Sequence, residues 1–378
     1  RADALLADPP LTLLLSAQAA QLEGDDLAAK RFFTAMLDRP ETEFLGLRGL
    51  LNQSLRAGDR GSALRLTRRA AALRPATPWV TQSLFDLETR EGRWQAAREV
   101  LEQAVKRGVI PPERARHYRG VLCYELSRIA LAGGDRRRGI NLAAQAQALA
   151  PDLAAPAAHH ARTLLQFRRA GPAAGAVERA WRTAPHPELA QIYGAIYESE
   201  APLERVKRYQ RLAAQNPDAR ESSLTLAEAA LDAQLWGEAR RYLEQASSAP
   251  PPPSSVRPAN SATPVSAVAE NAATAGAVST TPRLCLLMAR LEEAEHGSGA
   301  GVREWLDRAV TAMPDPRYIC ASCGGESLEW HSLCPHCGCF DTLAWRTPAW
   351  AAAASLPVVA EQPTVAVREL SVGPAGNP

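Results

Sequence analysis

The sequence predicts an all-α chain of stacked helix pairs that ends in a small metal-bound β ribbon. Three observations carry this. Glycines recur at a spacing of 34 residues, at Gly24, Gly58 and Gly92. Ala and Leu dominate an apolar fraction of 46%, while aromatic residues make up only 6%, a balance that favours helix over strand. Two Cys-x-x-Cys pairs fall within eighteen residues, from Cys320 to Cys337. That is metal-ligand spacing, not a secreted disulfide framework, and it argues for a reducing compartment.

The period justifies the array. Five residues after each Gly comes Ala29, Ala63 or Ala97, and twelve after the second and third comes Ala70 or Ala104; Pro75 closes the second unit. Gly supplies the tight turn between two helices, Ala lets them approach closely, and Pro stops the second helix because it has no N–H for the ladder. A helix–turn–helix unit of this length with small residues at fixed places is a tetratricopeptide repeat. The pattern then drifts. Gly134 comes 42 residues after Gly92, with the extra residues expected at Val109–Glu113. Gly171 is the expected fifth turn, Glu200-Ala201 the sixth, Gln234 the seventh and Gly297 the eighth, the last followed by Ala309 and Pro314. Seven to eight helix pairs in a right-handed superhelix are expected.

The domain reading is a repeat array over 1–249, a flexible Pro/Ala/Ser/Thr linker over 250–282, and a final helix pair over 283–314. A zinc ribbon over 315–347 and a disordered tail over 348–378 follow. The linker begins at Pro250-Pro-Pro-Pro253 and lacks periodic apolar residues, a composition that cannot bury a core.

Charge excludes a general nucleic-acid-coating protein, since 43 basic against 41 acidic residues give +2. Only Lys30, Lys106 and Lys207 are lysines, so single arginines carry little functional signal. The distribution is uneven: residues 51–150 hold 18 basic and 9 acidic residues, a local +9, and residues 251–378 hold 8 and 12. A basic middle suits an acidic partner or an anionic membrane surface. Arg48, Arg56, Arg119 and Arg128, on first helices, are the candidate contacts. No apolar run approaches the roughly 18–20 residues of a membrane helix. The chain opens at Arg1 inside what reads as a helix, so a preceding segment is expected.

In the ribbon, Cys320-Ala-Ser-Cys323-Gly and Cys334-Pro-His-Cys337-Gly each form a knuckle that aims two thiolates at one ion. The Gly after each pair tolerates the left-handed backbone that the turn needs. Cys320, Cys323, Cys334 and Cys337 are the predicted ligands of one structural Zn²⁺, with iron as the alternative. Four thiolates close the sphere and leave no place for catalytic water. Cys339 is spare, and His331 and His336 are reserve ligands. Short strands are expected at Glu326–His331 and Phe340–Trp345, around a small core of Tyr318, Trp330, Phe340 and Trp345. So short a module depends on its metal to fold. Cys123 and Cys285 read as helix core residues. His159-His160 point about 100° apart on a helix and cannot grip one metal together; with Cys334-Pro335 they are the only basis for a heme carrier.

Residues 1–25 and 283–309 resemble the repeat region of the HemY family, proteobacterial proteins linked to heme biosynthesis. The resemblance covers most of residues 1–314. It implies an N-terminal pair of membrane helices ahead of this chain, anchorage in the bacterial inner membrane with the repeats on the cytoplasmic side, and no catalytic residue. The ribbon, from Arg317-Tyr-Ile-Cys320 through Cys337, is similar to the rubredoxin-like metal domain of lipopolysaccharide assembly protein B, which implies the same four cysteine ligands. The reading is therefore a non-enzymatic protein–protein scaffold associated with heme (porphyrin) biosynthesis. Its partners would be heme-biosynthetic enzymes or membrane-associated assembly factors. The alternative is a regulator of envelope and lipopolysaccharide assembly; nucleic-acid binding and heme carriage rank below both.

Overall fold

A computed structural model describes residues 9–249 and 280–348. Sixteen helices form eight antiparallel pairs: α1 (Pro9–Glu23) with α2 (Asp26–Ala35), α3 (Glu43–Arg56) with α4 (Arg60–Leu73), α5 (Pro78–Arg90) with α6 (Trp94–Lys106), and α7 (Pro112–Ala132) with α8 (Arg136–Leu149). The series continues with α9 (Ala154–Gln166) and α10 (Ala170–Trp181), α11 (Pro187–Ala195) and α12 (Pro202–Ala213), α13 (Arg220–Asp232) and α14 (Trp236–Ser248), and α15 (Pro282–His296) and α16 (Ala300–Thr311). Among the described residues no strand precedes β1 (Arg317–Cys320), which is followed by β2 (Glu326–Ser327) and β3 (Leu343–Arg346). The all-α array with a terminal β module is the fold the sequence predicts. No described helix is long and apolar enough to cross a membrane.

The turn chemistry follows the period. Gly24, Gly58, Gly92, Gly134 and Gly297 all have positive φ, between 68° and 81°, where a side chain would be strained. In three turns the following Asp caps the second helix: Asp25, Asp59 and Asp135 accept N–H bonds from Ala28, Ser62 and Arg138 at 2.8–3.0 Å. The alanines at the fixed offsets, Ala29, Ala63, Ala70, Ala97 and Ala104, are all buried where helices meet.

Two expectations fail here. Gly171 is not the fifth turn; it lies inside α10. Arg168, with φ 57°, occupies the turn, 34 residues after Gly134. Gln234, φ 59°, takes the seventh turn as expected. The extra residues after Gly92 are not a loop at Val109–Glu113: they lengthen α7 to 21 residues, against 13 in α5. At the linker boundary, Thr281 and Pro282 belong to the last pair, Thr281 as the N-cap of α15. Most of the predicted linker and tail, 250–279 and 349–378, lies outside the described residues.

Candidate metal centre and inner groove

The two knuckles repeat one geometry. The Cys320 carbonyl accepts the Gly324 N–H at 2.9 Å, and the Cys334 carbonyl accepts the Gly338 N–H at 2.8 Å. Gly324 and Gly338 have φ of 71° and 67°, the left-handed turn read from the sequence. The Cys320 and Cys334 N–H groups donate to the carbonyls of Gly325 and Cys339. Backbone amides also face the sulfurs: Ser322 N–H donates to Cys320 Sγ at 3.3 Å and Gly325 N–H to Cys323 Sγ at 3.4 Å. Such donors favour thiolate over thiol.

The four sulfurs lie within 4.8 Å of one another. Cys320 Sγ is 3.7 Å from Cys337 Sγ, and Cys323 Sγ is 3.7 Å from Cys334 Sγ. A tetrahedron with Zn–S bonds of about 2.3 Å has edges of about 3.8 Å, which two of the cage's edges match, so the four cysteines suit one tetrahedral ion. Cys339 is outside this cluster, its Sγ 3.4 Å from Ser322 Oγ and 3.6 Å from Arg90 Nη2. His331 and His336 are outside it too; His336 Nε2 donates to the Glu326 carbonyl at 3.1 Å.

The ribbon is a three-stranded antiparallel sheet in the order β2-β1-β3. Its strands differ from expectation. β1, unpredicted, is central; β2 is two residues long; β3 begins at Leu343, not Phe340. Its aromatics do not form a separate core. They dock on the inner face of the array, the face made by the first helices. Phe340 meets Phe85 of α5 edge-on (ring centroids 5.2 Å, 86°) and Tyr118 of α7 likewise (5.4 Å, 81°). Trp330 meets Tyr124 of α7 at 5.2 Å. Trp345 packs on His186, the N-cap of α11, at 4.3 Å.

Polar contacts fix the register of this docking. Ser332 Oγ donates to Glu125 Oε1 at 2.6 Å. His117 is clasped between carboxylates, Nε2 to Asp341 at 2.9 Å and Nδ1 to Asp152 at 3.2 Å. Burial works against the charged ring, but the two carboxylates outweigh it and push His117 up to about 10. His186 behaves oppositely. Burial, with Arg283 nearby, lowers it to about 4. Its Nδ1 accepts the Glu188 N–H at 3.2 Å, so the proton sits on Nε2, which donates to Tyr318 Oη at 3.2 Å.

The ribbon thus fills the groove across pairs three to six. Asp315, Glu326, Glu329 and Asp341 outnumber Arg317 and Arg346 in it, and four thiolates around a divalent ion add two further negative charges. Asp341 brings one of these charges to the basic stretch 51–150, at His117. Three of the four candidate arginines are engaged inside the array, and Arg56 is exposed. Arg119 makes two bonds to Glu102, at 2.6 and 2.7 Å, Arg128 pairs with Glu125 at 3.2 Å, and Arg48 lies over Trp79. His159 Nε2 is 2.9 Å from Ser127 Oγ, and His160 Nδ1 is 2.7 Å from Gln147 Oε1. Burial and nearby arginines lower both rings to about 4. Each is spoken for within the array, as ordinary polar residues of a helix are. Cys123 and Cys285 are buried. The docking residues Phe85, His117, Tyr118, Tyr124 and His186 were not singled out from the sequence; aromatic residues on first helices in an aromatic-poor chain were the available signal.

No family model matches the chain. Over 274 residues it is 27% identical to a curated protein of Magnetospirillum gryphiswaldense described as "Probable magnetosome protein Mms48", covering 72% of this chain and 54% of that protein. The chain therefore spans about half the length of the curated relative it matches. Among solved structures it is similar to a MamA RS-1 double mutant, at 18% identity over 46% of this chain and 93% of the other, with a TM-score of 0.29. It is also similar to PilF of Pseudomonas aeruginosa, at 17% identity over 53% and 89%, with a TM-score of 0.28. Neither relative shows the HemY identity, and the fold rests on the eight helix pairs themselves.

Proposed function

We propose that this chain is a non-enzymatic interaction scaffold whose inner groove holds protein. The observation that carries this is the groove's own occupant: a folded module lies on the first helices of the third, fourth and sixth pairs, held by aromatic and ionic contacts. Stacked repeats present such concave surfaces continuously, so the same surface is available to a partner beyond the ribbon's edge.

Placement on the cytoplasmic face of a bacterial inner membrane, beside enzymes of heme biosynthesis, is supported by the resemblance of residues 1–25 and 283–309. A second placement, with the magnetosome, is supported by the Magnetospirillum relative. The lipopolysaccharide-type alternative is supported by the ribbon's layout alone. In all three the metal ribbon is structural: Cys320, Cys323, Cys334 and Cys337 hold one Zn²⁺ or iron ion.

The test is site-specific photo-crosslinking in the native cell with the full-length protein. Crosslinkers at Arg48 and Gln191, on first helices, should capture protein partners, whereas one at the exposed Arg65 of α4 should not. The identity of the adducts then separates the placements. Capture from Arg65 alone, or turnover of a defined heme-pathway intermediate by the purified protein that depends on an array residue, would overturn the scaffold reading.

A further inference from the structure

Beyond the ribbon the groove stays open. A cavity of about 640 Å³ lies over pairs six to eight, bounded by α11, α13, the start of α15 and Trp345 of the ribbon. Its wall is written largely by one face of α13, where Glu221, Leu224, Thr225, Glu228 and Asp232 recur at helical spacing. Asp218 and Asp315 add two more carboxylates, and Arg205, Arg220 and Arg283 are the cations. Five acids against three arginines leave the lining at −2, the opposite sign to the basic stretch under the ribbon.

The internal pairing leaves part of that charge facing the cavity. Arg283 takes both oxygens of Glu221, at 2.9 and 3.0 Å, but only Oε1 of Glu228. Asp232 gives Oδ1 to Arg290 at 2.9 Å, while its Oδ2 is 3.9 Å from Arg205. Asp218 is exposed. Leu224, Ala190 and Tyr209 supply an apolar floor.

We infer that this cavity is a docking site for an extended, basic peptide segment of a partner protein. Its Arg or Lys side chains face Glu228, Asp232 and Asp218, and its apolar side chains rest on the floor of Leu224, Ala190 and Tyr209. The assignment rests on the scaffold reading and adds to it the chemistry of the partner. An anionic segment meets net repulsion here, and a bare cation leaves the apolar floor of Leu224, Ala190 and Tyr209 unused. Complementary charge of this kind steers encounter and selects partners.

The test uses the full chain and two fluorescent peptides, one rich in arginine and leucine and one with glutamate at each arginine, followed by anisotropy. The arginine peptide should bind, and its affinity should fall with added salt as screening grows. The double variant Asp218→Asn/Asp232→Asn keeps both Arg283 pairs, to Glu221 and to Glu228, and gives up only an exposed ion pair. It should melt at the wild-type temperature and weaken the arginine peptide by about tenfold, about 1.4 kcal/mol. Arg65→Ala, on the exposed face of α4, should change nothing. Equal binding of the glutamate peptide, or wild-type affinity in the double variant, overturns the assignment. If neither peptide binds while crosslinks from Arg48 still capture a partner, the assignment falls and the scaffold reading stands. If crosslinks fail as well, both fall.

Discussion

Replacing Phe340 by alanine separates two functions that the ribbon combines, metal binding and docking. The ring is 8% exposed and contacts Phe85, Tyr118 and Trp94 at centroid distances of 5.2, 5.4 and 6.4 Å. Truncating a buried Phe to Ala costs about 3–5 kcal/mol, and each edge-on aromatic pair contributes about 0.5–1.5 kcal/mol beyond area burial. Nearly all of that loss falls on the array–ribbon interface, because the ring's aromatic partners belong to α5, α6 and α7. The docking equilibrium should therefore shift by about two to three powers of ten. Hydrogen exchange read by mass spectrometry should show faster exchange along α7 and β1, while elemental analysis still finds one ion per chain, since the knuckles are untouched. Unchanged exchange on α7 together with loss of metal would refute the reasoning. It would mean that Phe340 belongs to a private core of the ribbon.

Single Cys→Ser changes at Cys320, Cys323, Cys334 or Cys337 should release the ion and unfold the ribbon, whereas Cys339→Ser should retain both metal and fold; elemental analysis and circular dichroism distinguish these. Docking should depend on pH from two sides, measurable by exchange or proteolysis across the range. The His117 clasp, its ring raised to about 10, stabilises fully below the unfolded value of 6.5 and is lost as pH rises towards 10. The neutral His186, lowered to about 4, stabilises above 6.5 and is lost as pH falls towards 4; His117→Gln should remove only the alkaline limb. Arg168→Gly and Gln234→Gly relieve left-handed side-chain strain and should stabilise the array by up to about 1 kcal/mol each in thermal or urea melts. Gly49→Ala should destabilise by about 1–3 kcal/mol, because its Cβ would come within 2.4 Å of the Phe33 ring.

The array was legible because its turns demand φ > 0 and most of them use glycine to meet it. The fifth turn was misplaced for the same reason. Arg168 accepts the strain of that position, and the nearby Gly171 drew the assignment three residues along. The eight residues added after Gly92 read as a loop because Pro111-Pro112 looks like a break, yet a proline in the first turn of a helix is no obstacle. The four-cysteine cluster was legible, since knuckle geometry is local and written in contiguous residues. What covers the inner groove was not legible. The period fixes which residues belong to first helices but says nothing about a module more than 200 residues downstream. The local +9 gave no sign that a module of the same chain lies on this part of the groove. Gly49 against Phe33 is likewise invisible in sequence, because close packing across helices leaves no local mark.

A stack of repeats is ordinarily a one-dimensional object in which each unit feels only its neighbours and melting creeps in from either end. The ribbon changes that arithmetic here. By touching Phe85, Tyr118, Tyr124 and His186 at once, it ties the third, fourth and sixth pairs to a common rigid piece, so the middle of the array should open as a block while the first two pairs fray independently. The staple is also encoded after the pairs it holds. During synthesis the central pairs emerge, and wait, with a bare aromatic channel until the second cysteine knuckle is made. With the proposed ion in place, metal supply would set how long that adhesive surface is exposed in each newly made copy.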